Sequence, residues 1–155
     1  MAETSGWTVA IAVTGVVLAG LLSGLELGTG LAHQTAQSLP ETSWTLMHQA
    51  EDRLFRTVIP PAFLLTILAL ATSSVLTRGT QRVCFALAAL LTVVEVIATI
   101  VLNVPINNQV QAWVAGSAPA DWMHVRDTWL RNHWARSISG LLGFVLAVVG
   151  LTVRR

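Results

Sequence analysis

The stretch Leu102 to Arg136, LNVPINNQVQAWVAGSAPADWMHVRDTWLRNHWAR, sets the architecture of the chain because it divides two long apolar segments. It contains two of the four His residues, four of the six Trp residues and three of the nine Arg residues. Polar and aromatic side chains crowd into it, whereas the flanking sequence is almost entirely apolar. We therefore expect this stretch to hold either the chemistry of the protein or its most demanding polar packing.

Composition places the chain among membrane proteins. Of its 155 residues, 54% are hydrophobic and 11% are charged, and the mean hydropathy is +0.66, far from the average of soluble domains. A formal net charge of +1 provides no basic surface, so nucleic-acid binding is not expected. Because Cys84 is the only cysteine, neither an intrachain disulfide nor a Cys-based metal cluster can form within one chain.

Apolar runs on both sides of the central stretch predict an all-α fold, an integral membrane four-helix bundle. About 20 apolar residues suffice to cross a hydrocarbon core of roughly 30 Å. The length favours a single membrane domain over residues 1–155. The predicted spans cover approximately residues 7–31, 58–76, 83–102 and 138–153.

The first long loop is predicted to carry an amphipathic helix. Residues 43–55, SWTLMHQAEDRLF, place apolar side chains along one side, and Thr42 or Ser43 would cap the helix. Pro60 and Pro61 would then open the second span, where a missing amide proton costs least.

Two further helix boundaries are expected around the central stretch. Pro105 should break the third helix as it leaves the membrane, because proline lacks a backbone donor and biases Val104 away from helical geometry. From about Pro119 a helical extension should run into the fourth span.

The arginine distribution predicts an orientation in the cell inner or plasma membrane. Arg78, Arg82, Arg154 and Arg155 would share one side of the bundle without neighbouring acidic residues. The positive-inside rule then places both termini in the cytoplasm and the polar residues at the opposite end.

Two carboxyl groups are predicted at membrane depth. Glu26 interrupts the first span near its end, and Glu95 lies in the third span, about 12 Å deeper than Asn103 at 1.5 Å per residue. An ionisable side chain in the hydrocarbon region needs protein partners or water, so both should point into the bundle.

A polar stripe is predicted before the fourth span. Arg126, Trp129, His133 and Arg136 recur at steps of three, four and three, which places them on one helix face. One interpretation is that they only pin loops to helices, with Trp residues forming an interfacial belt. Because the combination of ionisable groups is unsuited to lipid, we favour a functional pocket. The stripe should meet Glu26, Glu95, Asn103, Asn107 and Asn108.

These features resemble the anthrone-oxygenase-like family of small four-span membrane proteins, most of which are known only as a domain of unknown function. The similarity rests on a Gly-rich first span with an acidic residue, on NVPINN after the third span, and on a Trp followed by His four residues later and Arg seven residues later. It covers essentially the whole chain and is most specific from Asn103 to Arg136. The resemblance implies a membrane oxidoreductase, a monooxygenase or oxidase that converts polyketide anthrones to anthraquinones with O2.

The reaction implied by the resemblance oxidises a lipophilic, electron-rich aromatic compound with an acidic C–H group. A base would remove the proton, hydrogen-bond donors would stabilise the resulting oxyanion, and Trp side chains would stack on the flat substrate. His133 or Glu95 is the expected base. The expected catalytic residues are His133, Arg136, Glu95, Asn103, Asn108 and Glu26, and the expected substrate-binding residues are Trp129, Trp134, Arg126 and Asn107.

A metal is a further hypothesis. His48 would share a helix face with Glu51, three residues later, or with Asp52, four residues later, a spacing that suits two metal ligands but also an ordinary solvated pair. Nitrogen and oxygen donors would suit iron or copper, and a haem held by two of the four His residues is an open alternative. The candidate ligands are His48, Glu51, Glu26, Glu95 and His133.

Two other functions compete with an oxygenase. The chain could be a proton-coupled carrier that uses Glu26 and Glu95 as relay groups, although it lacks the inverted repeat of many transporters. It could instead be an accessory or assembly protein without catalysis. Small residues in the first span predict a close-packed helix face that also allows a homo-oligomer. They are Gly15, Gly20, Gly24 and Gly28.

Overall fold

The computed structural model describes residues 6–153 and consists of long helices joined by short turns. No strand occurs in this range, and the predicted all-α fold is confirmed. The helices are α1 (Gly6–Thr35), α2 (Glu41–Leu76), α3 (Gly79–Ala98), α4 (Val104–Gln111) and α5 (Trp122–Thr152), with a 3₁₀ turn at Ala36–Ser38 and a π-helical segment at Thr99–Asn103.

Four helical stretches are long and apolar enough to cross a membrane, which confirms the predicted four-span bundle. Helix α1 packs against α2 and α5, and α3 also packs against α2 and α5. Large apolar side chains such as Leu21 and Leu68 remain exposed on the outside, as expected where helices face lipid. The four stretches are Gly6–Ser38, Glu41–Leu76, Gly79–Gln111 and Trp122–Thr152.

Small residues bring α1 close to its neighbours. A Cβ atom at Gly15 would lie 3.1 Å from a Leu70 methyl carbon, and one at Gly20 would lie 2.9 Å from the Phe144 ring. No atom lies within 4 Å of the corresponding position at Gly24 or Gly28. The predicted close-packed face is therefore confirmed for the first two glycines, whereas the last two lie on the exposed side of α1.

Helix α2 corrects the predicted boundary at the prolines. It begins at Glu41, after Pro40, and continues through Pro60 and Pro61 to Leu76. The amphipathic segment and the second span are thus one helix, and neither predicted capping residue begins it. A proline inside a helix removes one backbone hydrogen bond without reversing the chain direction. Because the apolar residues beyond the prolines still pack into the bundle, the helix continues.

The third span also continues beyond its predicted break. After Ala98 the backbone widens into the π-helical segment and then resumes as α4, with Val104 in helical conformation (φ −58°, ψ −41°). Pro105 occupies the first turn of α4, where its missing amide proton costs least. π-Helical turns occur frequently at functional sites, and this one carries the buried Asn103.

The predicted helical extension before the fourth span is confirmed. Helix α5 begins at Trp122, directly after Asp121, and runs without interruption through Arg136 to Thr152. The Asp121 side chain makes no capping hydrogen bond. One rigid element therefore carries the polar stripe and the last span.

Candidate active site

A cavity of about 220 Å³ lies at the polar end of the bundle. This is far more than the roughly 15 Å³ that a single buried water needs. One wall is apolar and comes from α1 and α2, with Leu22, Leu25, Phe55, Ile59 and Phe63. The remaining wall is polar and aromatic, with His33, His48, Asn103, Trp129, His133 and Arg136 among its members.

Arg136 connects two helices across this polar wall. Its Nη1 donates to the Glu26 carboxylate, and its Nη2 donates to Nδ1 of His133 over 2.9 Å. The other ring nitrogen, Nε2 of His133, donates to the backbone carbonyl of Glu26 over 2.9 Å. Since Nδ1 accepts and Nε2 donates, the His133 ring is held as its neutral Nε2–H tautomer. Neither nitrogen of His133 is left to receive a proton.

Glu95 lies inside the bundle but does not line the cavity. Its side chain is buried, and Oε1 has no hydrogen-bond partner. A Cβ atom at Gly140 would come within 2.5 Å of both Glu95 carboxyl oxygens. Glycine at position 140 therefore leaves the space that the Glu95 side chain occupies.

His33 and Glu51 form a second polar contact at the cavity. Nε2 of His33 lies 2.7 Å from Oε2 of Glu51. A carboxylate can only accept, so Nε2 carries the hydrogen and Nδ1 of the neutral ring carries a lone pair. This Nδ1 is buried without a hydrogen-bond partner.

The buried imidazoles are embedded in tryptophan rings. His48 stacks on Trp44 with ring centroids 4.9 Å apart, and His133 stacks on Trp129 at 5.0 Å. The Trp129 ring also contacts His33 at 4.3 Å. Such contacts fix ring positions because a close-packed aromatic cluster leaves little room for rotation.

Asp52 anchors the helices that carry these rings. Its carboxylate accepts hydrogen bonds from Arg56 Nε (2.7 Å), Asn107 Nδ2 (2.8 Å) and Gln111 Nε2 (2.8 Å). Asn107 in turn accepts a hydrogen bond from Nε1 of Trp129 over 2.7 Å. The network therefore sets the plane of the Trp129 ring relative to α2 and α4.

Asn103 contacts the backbone of Trp129 from the π-helical segment. Its Nδ2 donates to the Trp129 backbone carbonyl over 3.2 Å, while its Oδ1 is buried and unpartnered. Nε of Arg136 is likewise buried without a partner. A donor and an acceptor thus remain unused on two residues of the cavity wall.

A family model for anthrone oxygenase matches residues 44–146, about two thirds of the chain. The chain belongs to the anthrone oxygenase family. A search of curated proteins and a search of solved structures found no match. The match includes α4 and the polar part of α5, whereas Glu26 and His33 precede it.

Several residues predicted to serve the anthrone oxygenase site lie away from its cavity. Asn108 is exposed and accepts a hydrogen bond from Arg56 over 2.8 Å. Arg126 donates to Asp127 and to the Gln37 carbonyl, which attaches the 3₁₀ turn to α5. Trp134 packs against Gly30, where a Cβ atom would lie 2.8 Å from its ring. These three side chains, like Glu95, are absent from the cavity wall.

The other predicted site residues do meet at the cavity. They come from all four of the long helical stretches. They are Glu26, His48, Glu51, Asn103, Asn107, Trp129, His133 and Arg136.

The metal-binding prediction finds no support. Within residues 6–153, no group of three or more His, Cys, Asp or Glu side chains is arranged to hold a metal ion. His133 uses both nitrogens in hydrogen bonds, and Glu51 is paired with His33. The five predicted donors therefore do not form a ligand set in this arrangement.

His33 lines the cavity, although no sequence pattern singled it out as a site residue, and Trp44 stacks on His48 without lining the cavity. His33 lies near the end of α1, and its hydrogen bond to Glu51, 18 positions away, depends on the contact between α1 and α2. Asp52, the alternative partner of His48 by its four-residue spacing, also lines the cavity.

Proposed function

We propose that this protein is a membrane oxygenase that oxidises a flat, electron-rich aromatic compound of the anthrone type with O2. Membership of the anthrone oxygenase family supports an oxygenase-like function. The observation that carries the proposal is a cavity lined both by apolar side chains of α1 and α2 and by His, Asn and Arg side chains. Such a site suits a ligand that is mostly apolar but carries carbonyl or hydroxyl oxygens.

The reaction balances without an added reductant. A base removes one methylene proton, and the electron pair of the broken C–H bond delocalises into the aromatic system and its oxygen. The carbanion reduces O2 and forms a C–O bond to give a peroxide anion, which takes the proton back from the base and becomes a hydroperoxide. Loss of water then leaves a ketone, so one methylene group and one O2 give one carbonyl group and one water.

Arg136 is proposed to stabilise the oxyanion formed when the proton leaves. A guanidinium group has five N–H donors, and contacts to Glu26 and His133 use only two of them. The side chain is about one-tenth exposed, so its charge acts in a medium of low dielectric constant. His133 is a positioning residue in this account because it holds the guanidinium in place.

Trp129 and Asn103 are proposed to orient the substrate. The Trp129 ring offers a flat apolar surface on which a fused aromatic system can stack, and Asn107 fixes its orientation. The unpartnered Oδ1 of Asn103 can accept a hydrogen bond from a phenolic hydroxyl group.

The apolar wall supports entry of the substrate from the bilayer. Leu25 and Pro60 line the cavity and are also exposed on the outer surface of α1 and α2. A lipophilic compound dissolved in the membrane would reach the cavity between these helices.

We further propose that the termini are cytoplasmic. Arg78 and Arg82 lie at the end of the bundle opposite to the cavity, and the positive-inside rule places an arginine-rich end in the cytoplasm.

Oxygen uptake by the protein in proteoliposomes tests the proposal, with a panel of hydroxylated anthrones as substrates. The Arg136→Ala variant should lose at least about 100-fold in rate, as expected when a preorganised oxyanion donor is removed. Arg131→Ala is the matched control, because Arg131 lies on the same helix but is exposed. Equal rates for both variants and the wild type would refute the proposed role, and no substrate-dependent uptake would refute the function.

A further inference from the structure

Three buried imidazoles line the cavity, and their hydrogen bonds distinguish them. They belong to His33, His48 and His133, each at most 2% exposed. A general base must hold a free lone pair, and its ring must be held in a fixed orientation. The three rings can be compared on these two properties.

His133 has no free lone pair. Its Nδ1 accepts from Arg136, and its Nε2 donates to the Glu26 carbonyl. To accept a substrate proton, the ring would have to give up the hydrogen bond from Arg136 and become a cation beside that guanidinium. Repulsion between like charges opposes this step.

His48 has a free lone pair but no orienting partner. Neither of its ring nitrogens makes a hydrogen bond. Stacking on Trp44 holds the plane of the ring but does not select the nitrogen that carries the hydrogen.

His33 has both properties. Its Nε2–H donates to the Glu51 carboxylate over 2.7 Å, and its Nδ1 is unpartnered. A carboxylate on one nitrogen fixes the tautomer and stabilises the imidazolium that forms when the other nitrogen takes a proton. The His33 ring also contacts the ring of Trp129, with centroids 4.3 Å apart, and Trp129 is the side chain proposed to stack on the substrate.

Glu51 has the exposure that such a partner needs. Its side chain is 31% exposed, whereas that of His33 is 2% exposed. The carboxylate can therefore remain hydrated on one side while it contacts a buried imidazole on the other. Such a pair connects the cavity to the polar surface, where protons exchange with water.

We infer that His33, oriented by Glu51, is the general base of the proposed oxygenase. The substrate C–H bond breaks, an N–H bond forms at Nδ1 of His33, and the electron pair stays on the substrate as a delocalised carbanion. Addition of O2 gives a peroxide anion, which takes the proton back from the imidazolium and becomes the hydroperoxide. The second C–H bond then breaks, its electron pair forms the carbonyl group as the O–O bond breaks, and the released proton and hydroxide leave as water. The inference rests on the proposed function but assigns a residue outside the range matched by the family model.

Hydrogen exchange without oxygen isolates the proton-removal step. The wild-type protein is incubated anaerobically in D2O with anthrone, and loss of the methylene proton signal is followed by NMR against a protein-free blank. We expect the His33→Ala variant to lose about 100-fold or more of the protein-dependent exchange rate, the usual contribution of a general base. Added imidazole should restore part of it. Glu51→Gln, which keeps a side chain of the same size, should also slow exchange, and exposed His124→Ala should not.

The outcomes separate this inference from the proposed function. Wild-type exchange rates in both His33→Ala and Glu51→Gln would overturn the inference even if oxygen uptake is intact. A slow His33→Ala variant that imidazole does not rescue, together with normal exchange in Glu51→Gln, would also overturn it and indicate a packing role. If none of the anthrones in the panel causes oxygen uptake by the wild-type protein, the proposed function itself fails.

Discussion

Glu26 and Arg136, 110 positions apart in the sequence, form a buried ion pair that joins the first membrane-spanning helix to the last. Both side chains are about one-tenth exposed. A buried charge needs a partner because its transfer from water is costly. The pair thus fixes α1 against α5 at the cavity and holds the guanidinium beside His133.

The ion pair should be visible in the stability of single and double variants. Arg136→Gln should lower the free energy of unfolding in detergent by about 3–5 kcal/mol, because it leaves the Glu26 carboxylate buried and unpaired. The double variant Glu26→Gln, Arg136→Gln should be more stable than Arg136→Gln alone. Denaturant titration of the wild type, Glu26→Gln, Arg136→Gln and the double variant measures the coupling, and strictly additive losses would contradict a direct interaction.

Gly140 should be sensitive to the addition of one methyl group. Gly140→Ala would place a Cβ atom 2.5 Å from the Glu95 carboxyl oxygens, and such overpacking costs about 1–3 kcal/mol. Glu95→Ala in the same protein should relieve the loss. Gly24→Ala is the control, because its Cβ atom meets no atom within 4 Å. Equal thermal unfolding temperatures for Gly140→Ala and Gly24→Ala would contradict the packing described here.

Trp129 should contribute through its indole nitrogen as well as its ring. Trp129→Phe keeps an aromatic surface but removes the hydrogen bond to Asn107, which leaves a polar atom unpaired at a cost of about 1–3 kcal/mol. We expect a higher KM for the anthrone because the stacking surface is no longer held at a fixed angle. Steady-state oxygen uptake measures this change. Trp7→Phe, at an exposed position in the first turn of α1, should leave KM unchanged.

Asp52 should be needed for the integrity of the polar end. Asp52→Asn replaces one acceptor oxygen with an N–H donor, although three donors converge on this side chain. Each hydrogen bond to a charged group contributes about 1.5–3 kcal/mol. Limited proteolysis of the connection between α4 and α5 should become faster, whereas Asp127→Asn at an exposed carboxylate should have little effect. Equal cleavage rates in the two variants would show that Asp52 does not hold this region.

Sequence periodicity predicted those parts of the fold and the site that depend on one helix at a time. The four spans follow from apolar length. The positions of Trp129, His133 and Arg136 on one face follow from 3.6 residues per turn, and all three side chains line the cavity. Glu26 and Glu95 were expected inside the bundle because lipid would not accommodate them, and both are buried.

Features that depend on contacts between helices could not be predicted in the same way. His33 acquires its partner only because α1 and α2 pack together, and no spacing rule relates it to Glu51. Helical spacing predicted that Arg126 lies on the same helix face as Trp129. Arg126 nevertheless contacts the Gln37 carbonyl and not the cavity, because the 3₁₀ turn packs against this part of α5. The predicted helix boundary at Pro60 and Pro61 was wrong, because helix packing outweighed the loss of individual backbone hydrogen bonds.

The most direct test of the central claim is the fate of oxygen atoms when purified protein oxidises an anthrone under ¹⁸O2. The account predicts that the new carbonyl group of the anthraquinone carries one ¹⁸O atom and that the second atom appears in water. Mass spectrometry of the product should show this label with the wild type and, at a strongly reduced rate, with Arg136→Ala. A product that contains only ¹⁶O in ¹⁶O water, or no protein-dependent product, would contradict assignment as an oxygenase of this class.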